Sequence, residues 1–257
     1  MAGIELEIVE GVAVVTLARP ERRNAVSLAM WQELPRMFKL LEEDERVRGI
    51  VLTGAGGFFS AGADISEFGT VRADKAQAAG YEVDVDACCD GIFATSKPTV
   101  AAIRGGCIGG ACNLAMSCDF RFASPEAKFA IPAARLSIVY GVKGTQRLLA
   151  LVGLANAKRI FYSAETCGAS EAQRIGLVDR VDADPLAEAK VFLTRVGRNA
   201  PLSIAGAKFL LNGLATGAGA LDPTLADVAI DRAASSEDYR ESVKAFAAKR
   251  EPRFLGR

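Results

Sequence analysis

The chain has 257 residues, half of them hydrophobic, and its 31 Lys plus Arg balance its 31 Asp plus Glu, so the net charge is zero. That length suits one large domain or a domain with an appendage, and the neutral balance argues against a nucleic-acid partner. The absence of histidine excludes Ser-His-Asp and Cys-His nucleophile systems and removes the commonest metal ligand and general base.

In chain order, Ile4, Leu6 and Ile8 alternate with glutamates, Glu10-Gly11 turns, and VAVVTL follows, which predicts a β-hairpin. Apolar residues from Ser27 to Glu43 recur at helical spacing, with Ser27 as the cap. GIVLTG at Gly49–Gly54 reads as a buried strand, and a glycine-rich loop from Ala55 should enter a helix near Asp64. Residues 71–95 read as helical. TVAAIRG from Thr99 is a second buried strand followed by glycines and a helix, and DFRFAS and KFAIP are short strands. Helical patterns dominate from Thr145, clearest at Asp184–Arg198, Pro201–Leu214 and Glu237–Arg250. Strand units alternating with helices, then a helical tail, predict an α/β fold, divided into a core of 1–195 and a helical region of 196–257.

The N-terminus is acidic and alternating, unlike a signal peptide. No uncharged apolar run approaches the ~18 residues of a membrane span. The six cysteines form no C-x-x-C pair, so no zinc site is expected and their use fits a reducing cytoplasm. No bound metal and no permanently bound cofactor is expected. GAGGFF lacks the third glycine of a dinucleotide fingerprint, YGVKGT is not a P-loop, and no G-x-S-x-G elbow occurs.

Two similar segments remain, IVLTGAGGFFSAGAD and VAAIRGGCIGGACNL. Each is a strand, a glycine loop and a helix start. A helix N-terminus exposes unpaired N–H groups, and glycine admits close approach of a ligand. Two such loops facing each other can hold one oxyanion. Taken singly, each loop also reads as an ordinary tight turn.

NAVS at Asn24, IVLTG at Ile50, FFSAGADISEF at Phe58, PTVAAIRGGCIGGACNLAMSCDFRFAS at Pro98, KGTQRLLALVG at Lys143, ASEAQRIGLVDRV at Ala169 and the tail VKAFAAKREPRF together resemble the enoyl-CoA hydratase/isomerase family, the crotonases. The resemblance runs in order through nearly the whole chain. It implies a crotonase-like spiral of ββα turns with a C-terminal helical region that forms a homotrimer or a dimer of trimers. It implies an acyl-CoA substrate, with coenzyme A as part of that substrate, and an enolate held by the backbone N–H groups of Ala63 and Gly110. The adenine pocket would use Ala25, Ala61, Ala63, Asp64 and Ile65. Arg22 and Arg23 lie within reach of the nucleotide phosphates. Phe246 and Lys249 match tail positions that reach CoA on a neighbouring subunit.

The chain departs from the family at two points. A hydratase of the family carries two glutamates, and those positions hold Asn113 and Ala133. Hydration needs a base for water and an acid for carbon; an amide cannot titrate and alanine has no polar side-chain atom. No acid occurs at 91–118 or 127–146. Glu67, Glu82, Asp84, Asp86 and Asp90 are the acids available as substitutes. Tyr140 precedes GVKGT and is a candidate hydrogen-bond donor to substrate, and Arg135 a weaker candidate partner for a carboxylate. Four readings follow: hydration or isomerisation with a relocated acid, decarboxylation of a malonyl-type CoA assisted by Tyr140, thioester hydrolysis, and CoA binding without catalysis.

Overall fold

A computed structural model describes residues 3–215 and 221–257. Strands β1 (Ile4–Val9) and β2 (Val12–Leu17) form the expected hairpin. Glu10 and Gly11 both take positive φ at its turn. Helix α1 (Leu28–Glu43) is capped by Ser27, whose hydroxyl accepts from the Met30 N–H. Its buried stripe of Met30, Trp31, Leu34, Met37, Phe38 and Leu41 follows the 3.6-residue period.

β3 (Gly49–Gly54) leads into the first glycine loop, followed by the short α2 (Phe68–Val71) and the long α3 (Lys75–Ala94). β4 (Thr99–Ile103), β5 (Gly106–Ile108) and α4 (Gly110–Ser117) come next. They are followed by β6 (Phe120–Ala123), β7 (Lys128–Ala130) and α5 (Val142–Ser163). β8 (Cys167–Gly168), α6 (Ala169–Arg174), β9 (Arg180–Val181), α7 (Pro185–Val196), α8 (Pro201–Ala215), α9 (Pro223–Ala234) and α10 (Glu237–Ala247) complete the described chain. α9 falls within the stretch expected to be helical from Thr145, though not among its clearest segments. Its start is written in the sequence, with Asp222 as cap and Pro223 in the first turn.

The larger sheet runs β1-β2-β3-β4-β6-β9 and is parallel beyond its first pair; the smaller runs β5-β7-β8. The chain steps from the large sheet to the small one and then into a helix: β4, β5, α4, then β6, β7, α5. An isolated bridge from Ser60 to Cys107 makes the first loop an equivalent step between β3 and α3. These repeats are the expected ββα spiral. Both faces of the sheet are covered at β2, β3 and β4, which explains their near-continuous apolar strands, whereas the edge strand β1 alternates and is largely exposed. Val12, Val14, Val51 and Val100 pack with Ala189 and Leu193 of α7, while Ala13, Val15, Ile50 and Leu52 join the main core with α1.

Polar contacts tie the last helices to that core. Lys208 of α8 donates to the Lys97 carbonyl and to Asp119 (3.0 and 2.9 Å). The tail folds back so that buried Asp238 accepts from the Leu255 and Gly256 N–H groups, each at 2.7 Å.

Candidate active site

The two glycine loops meet. The Ser60 to Cys107 bridge sets them side by side, and the Ser60 hydroxyl donates to the Asn24 carbonyl while accepting from the Gly62 N–H. Asn24 is fully buried and its amide donates to the carbonyls of Ala55 and Phe58. The first loop is thus held from three sides. Gly62 has φ +87°, and a Cβ there would sit 2.4 Å from the Ile108 carbonyl and 2.9 Å from the Gly110 nitrogen. Only glycine fits so close an approach of two backbones. A Cβ on Gly110 would lie 3.4 Å from the Ala63 nitrogen.

Among the described residues neither the Ala63 nor the Gly110 N–H has an acceptor, whereas their neighbours do: Ala61 donates to Arg23, Asp64 to Val26 and Gly109 to Ala130. Gly110 opens helix α4 after Gly109 at φ +58°, so its N–H is one of the orphan donors of a helix start. Asp64 caps a helical stretch as expected, but one that begins as a 3₁₀ turn, Ile65–Glu67, and ends with the short α2 at Val71. The Ala63 donor is therefore a loop N–H.

Both residues border a cavity of about 160 Å³ walled by Trp31, Tyr81, Asn113, Ala133 and Tyr140, among others. Asn113 and Ala133 thus stand where the resemblance places the hydratase glutamates. Asn113 is buried, and its Oδ1 accepts from Arg147 Nη1 at 3.2 Å. Arginine only donates, so it faces the amide oxygen and leaves Nδ2 as the group offered to the cavity. Arg147 is itself buried and binds Asp90 at 2.5 Å; Lys143 binds the other oxygen of Asp90.

Tyr140 is half-buried, and its hydroxyl donates to the Gly109 carbonyl at 3.2 Å. Burial pushes its pKa well above the ordinary range, so it is a neutral donor. Its bond braces the peptide that precedes Gly110. Gly144 of α5 is where Tyr140 and Asn113 converge. A Cβ there would stand 2.6 Å from the Tyr140 ring and 3.0 Å from Asn113 Oδ1.

The five acids separate. Glu67 caps α1 by accepting from the Leu28 N–H at 2.9 Å. Asp84 turns away to Gln32 at 3.1 Å. Asp90 is held by Arg147 and Lys143. Glu82 lines the cavity but pairs with Arg72 at 2.9 Å, and Arg72 lies over the Phe68 and Tyr81 rings. Asp86 lines the cavity with no hydrogen-bond or ion-pair partner among the described residues.

The expected nucleotide-facing residues divide too. Ala61, Ala63 and Ile65 border the cavity, and Ile65 is 70% exposed. Ala25 and Asp64 are buried behind it, the first carbonyl accepting from Arg19 at 2.8 Å and the second carboxylate 2.9 Å from Arg19. Burial raises the Asp64 carboxyl, but Ser66 and Arg19 outweigh it and hold the group below the usual range. Arg22 is engaged with Ser66, and Arg23 is exposed over the Phe58 ring. Phe246, 89% exposed on α10, and Lys249 beyond it do not line the cavity, and Arg135 lies on the surface. Sequence reasoning passed over Arg147, Arg72, Tyr81 and Trp31. The available signal was Arg147 as the one charge within the apolar run after Lys143, a helical turn from it. No group of three or more metal-ligating side chains occurs among the described residues.

A ββα spiral whose two glycine loops present unpaired N–H groups over one cavity defines a class of proteins able to bind a developing oxyanion. The family model for enoyl-CoA hydratase/isomerase matches residues 7–257. A short-chain-enoyl-CoA hydratase of Clostridium acetobutylicum is 37% identical over 93% of this chain and 92% of its own length. A crotonyl-CoA hydratase of Syntrophomonas wolfei is 35% identical over 99% of this chain and 98% of its own. Among solved structures, an enoyl-CoA hydratase/isomerase family protein from Hyphomonas neptunium superposes with a TM-score of 0.94 at 35% identity, covering 99% of this chain and 98% of that one. The chain belongs to the enoyl-CoA hydratase/isomerase family and has the crotonase fold. No helix among the described residues is long and apolar enough to cross a membrane.

Proposed function

We propose that this protein is an acyl-CoA enzyme that forms a thioester enolate between the Ala63 and Gly110 N–H groups and moves a proton on it, rather than adding water. One observation carries the reading: two unpaired N–H donors open onto a cavity in which Asn113 and Ala133 replace the acid pair of hydration. A single acid–base group that takes a proton from one carbon and returns it to another suffices for a double-bond shift; hydration takes a second group to activate water. The CoA nucleotide lies along Ala61, Ala63 and Ile65, with Arg23 at its phosphates and Ala25 and Asp64 supporting that wall from behind. Phe246 and Lys249 reach it from a neighbouring subunit, in a trimer or dimer of trimers that covers the exposed apolar side chains of α8 to α10, such as Leu214, Val228 and Val243.

The test is a panel of acyl-CoA substrates. The expected result is conversion of a 3-enoyl-CoA to its conjugated 2-enoyl isomer at least about 100-fold faster than crotonyl-CoA hydration, within the usual 10²–10⁴-fold contribution of one acid–base group. Hydration at a comparable rate overturns the reading. The neutral Asn113 and Ala133 also suit a substrate carboxylate, so CO₂ release from methylmalonyl-CoA, lost in Tyr140→Phe, would establish the decarboxylase instead. Release of free CoA would mark a thioester hydrolase. CoA binding with no turnover would establish a binding subunit.

A further inference from the structure

We infer that Asp86 is the catalytic base and acid of this site, taking over from a neighbouring wall the role that Asn113 and Ala133 cannot fill. The inference rests on the proton-transfer reading above and names its agent.

Helix α3 turns one stripe to the cavity: Tyr81 and Val85, four residues apart, beside Glu82 and Asp86, also four apart. Two of these polar side chains are engaged, Tyr81 by Trp31 and Glu82 by Arg72. Asp86 is half-buried and unpaired among the described residues. A half-exposed carboxylate that faces a largely apolar cavity with no protein partner is free to meet a bound ligand. Aspartates elsewhere on this helix and its flanks have partners: Asp74 caps the helix, Asp84 binds Gln32, and Asp90 binds Arg147 and Lys143.

The first turn of α5 fixes where Asp86 sits. Asp86 Oδ1 lies 3.7 Å from the place of a Cβ on Gly141, and Asn113 Oδ1 lies 3.0 Å from that of a Cβ on Gly144. Gly141 is the N-cap of α5 and Gly144 lies in its first turn. Asp86 and Asn113 thus both approach the start of α5, and both line the cavity.

The step balances without a co-reactant. The Asp86 carboxylate takes a proton from the α-carbon of a 3-enoyl thioester, the C–H pair enters the π system, and negative charge collects on the thioester oxygen between Ala63 and Gly110. The Asp86 carboxylic acid then returns the same proton to the γ-carbon, and the conjugated 2-enoyl thioester results. No oxidation state changes.

The test measures this isomerisation and α-proton exchange in D₂O for the wild type, Asp86→Asn, Asp86→Glu and Asp84→Asn, with CoA affinity and melting temperature measured for each. Asp86→Asn is expected to lose 10²–10⁴-fold in both rates, with CoA affinity and melting temperature held. Asp86→Glu should recover part of the rate, and Asp84→Asn should keep it. Full rates in a folded Asp86→Asn overturn the assignment and leave the proton-transfer reading standing. Absence of both reactions in the wild type overturns both.

Discussion

Arg147 Nη1 lies 3.2 Å from Asn113 Oδ1, and the same guanidinium holds Asp90 at 2.5 Å. Where the family's hydratases place an acid, this chain has placed a buried cation against a neutral amide. The arrangement sets the amide's orientation and shapes the hydration prediction. A glutamate at 113 would be drawn into an ion pair with Arg147, which favours its charged form and leaves it a poor proton donor. Asn113→Glu and Ala133→Glu are each expected to give no crotonyl-CoA hydration above the parent. The double variant should exceed either single by at least about tenfold, with the ionised glutamate at 113 as base for water and the one at 133 as acid for carbon. Loss of the 263 nm enoyl absorbance measures it.

Gly144 and Gly141 make a contrasting pair. A Cβ at 144 meets the Tyr140 ring at 2.6 Å and Asn113 at 3.0 Å; one at 141 meets only Asp86 at 3.7 Å, an ordinary contact. Gly144→Ala should therefore lose activity by tenfold or more, although alanine within a helix ordinarily gains about 1 kcal/mol over glycine. Gly141→Ala should melt within a few degrees of the parent. Thermal melts with enoyl-CoA turnover separate the two.

Tyr140 braces the Gly109 carbonyl and is not itself charged in the reaction proposed here. Tyr140→Phe removes one neutral hydrogen bond, worth about 0.5–1.5 kcal/mol, so isomerisation should fall no more than about tenfold. A loss of a thousandfold or more would give the hydroxyl a direct part in the chemistry.

Trp31 Nε1 donates to the Tyr81 hydroxyl at 2.8 Å inside the core. Tyr81→Phe leaves that indole N–H unpaired, with an expected cost of about 1–3 kcal/mol, measured by denaturant unfolding. Burial pushes the Tyr81 pKa from 10.0 up to about 12, the Trp31 bond opposing it only in part. The folded state therefore keeps the proton that the unfolded state releases near 10. The stability this supplies is intact below pH 10 and is lost as pH rises toward 12. A 295 nm titration of wild type minus Tyr81→Phe should have its midpoint near 12.

Most of the fold was legible because its signals are local. The hairpin, α1 with its Ser27 cap and the buried strands β3 and β4 follow from period and composition, and the co-linear motifs implied the spiral. The two glycine loops were legible as loops that could face each other, and Ala63 and Gly110 were named within them by the family resemblance. The acids were not separable in the sequence. Glu67, Asp84 and Asp90 look like Asp86 there, and what distinguishes them is a partner 39, 52 and 57 residues away. Arg147 was missed for the same reason. Its significance lies in what α3 and α4 bring to it, and no local pattern records that.

A structure of the protein with a saturated acyl-CoA, which binds without reacting further, bears most directly on the central claim. The account predicts the thioester oxygen within about 2.7–3.1 Å of both the Ala63 and Gly110 nitrogens, with an Asp86 carboxylate oxygen about 3–3.5 Å from the α- or γ-carbon. A thioester seated away from those two N–H groups, or another ionisable side chain closer to both carbons than Asp86, would contradict it.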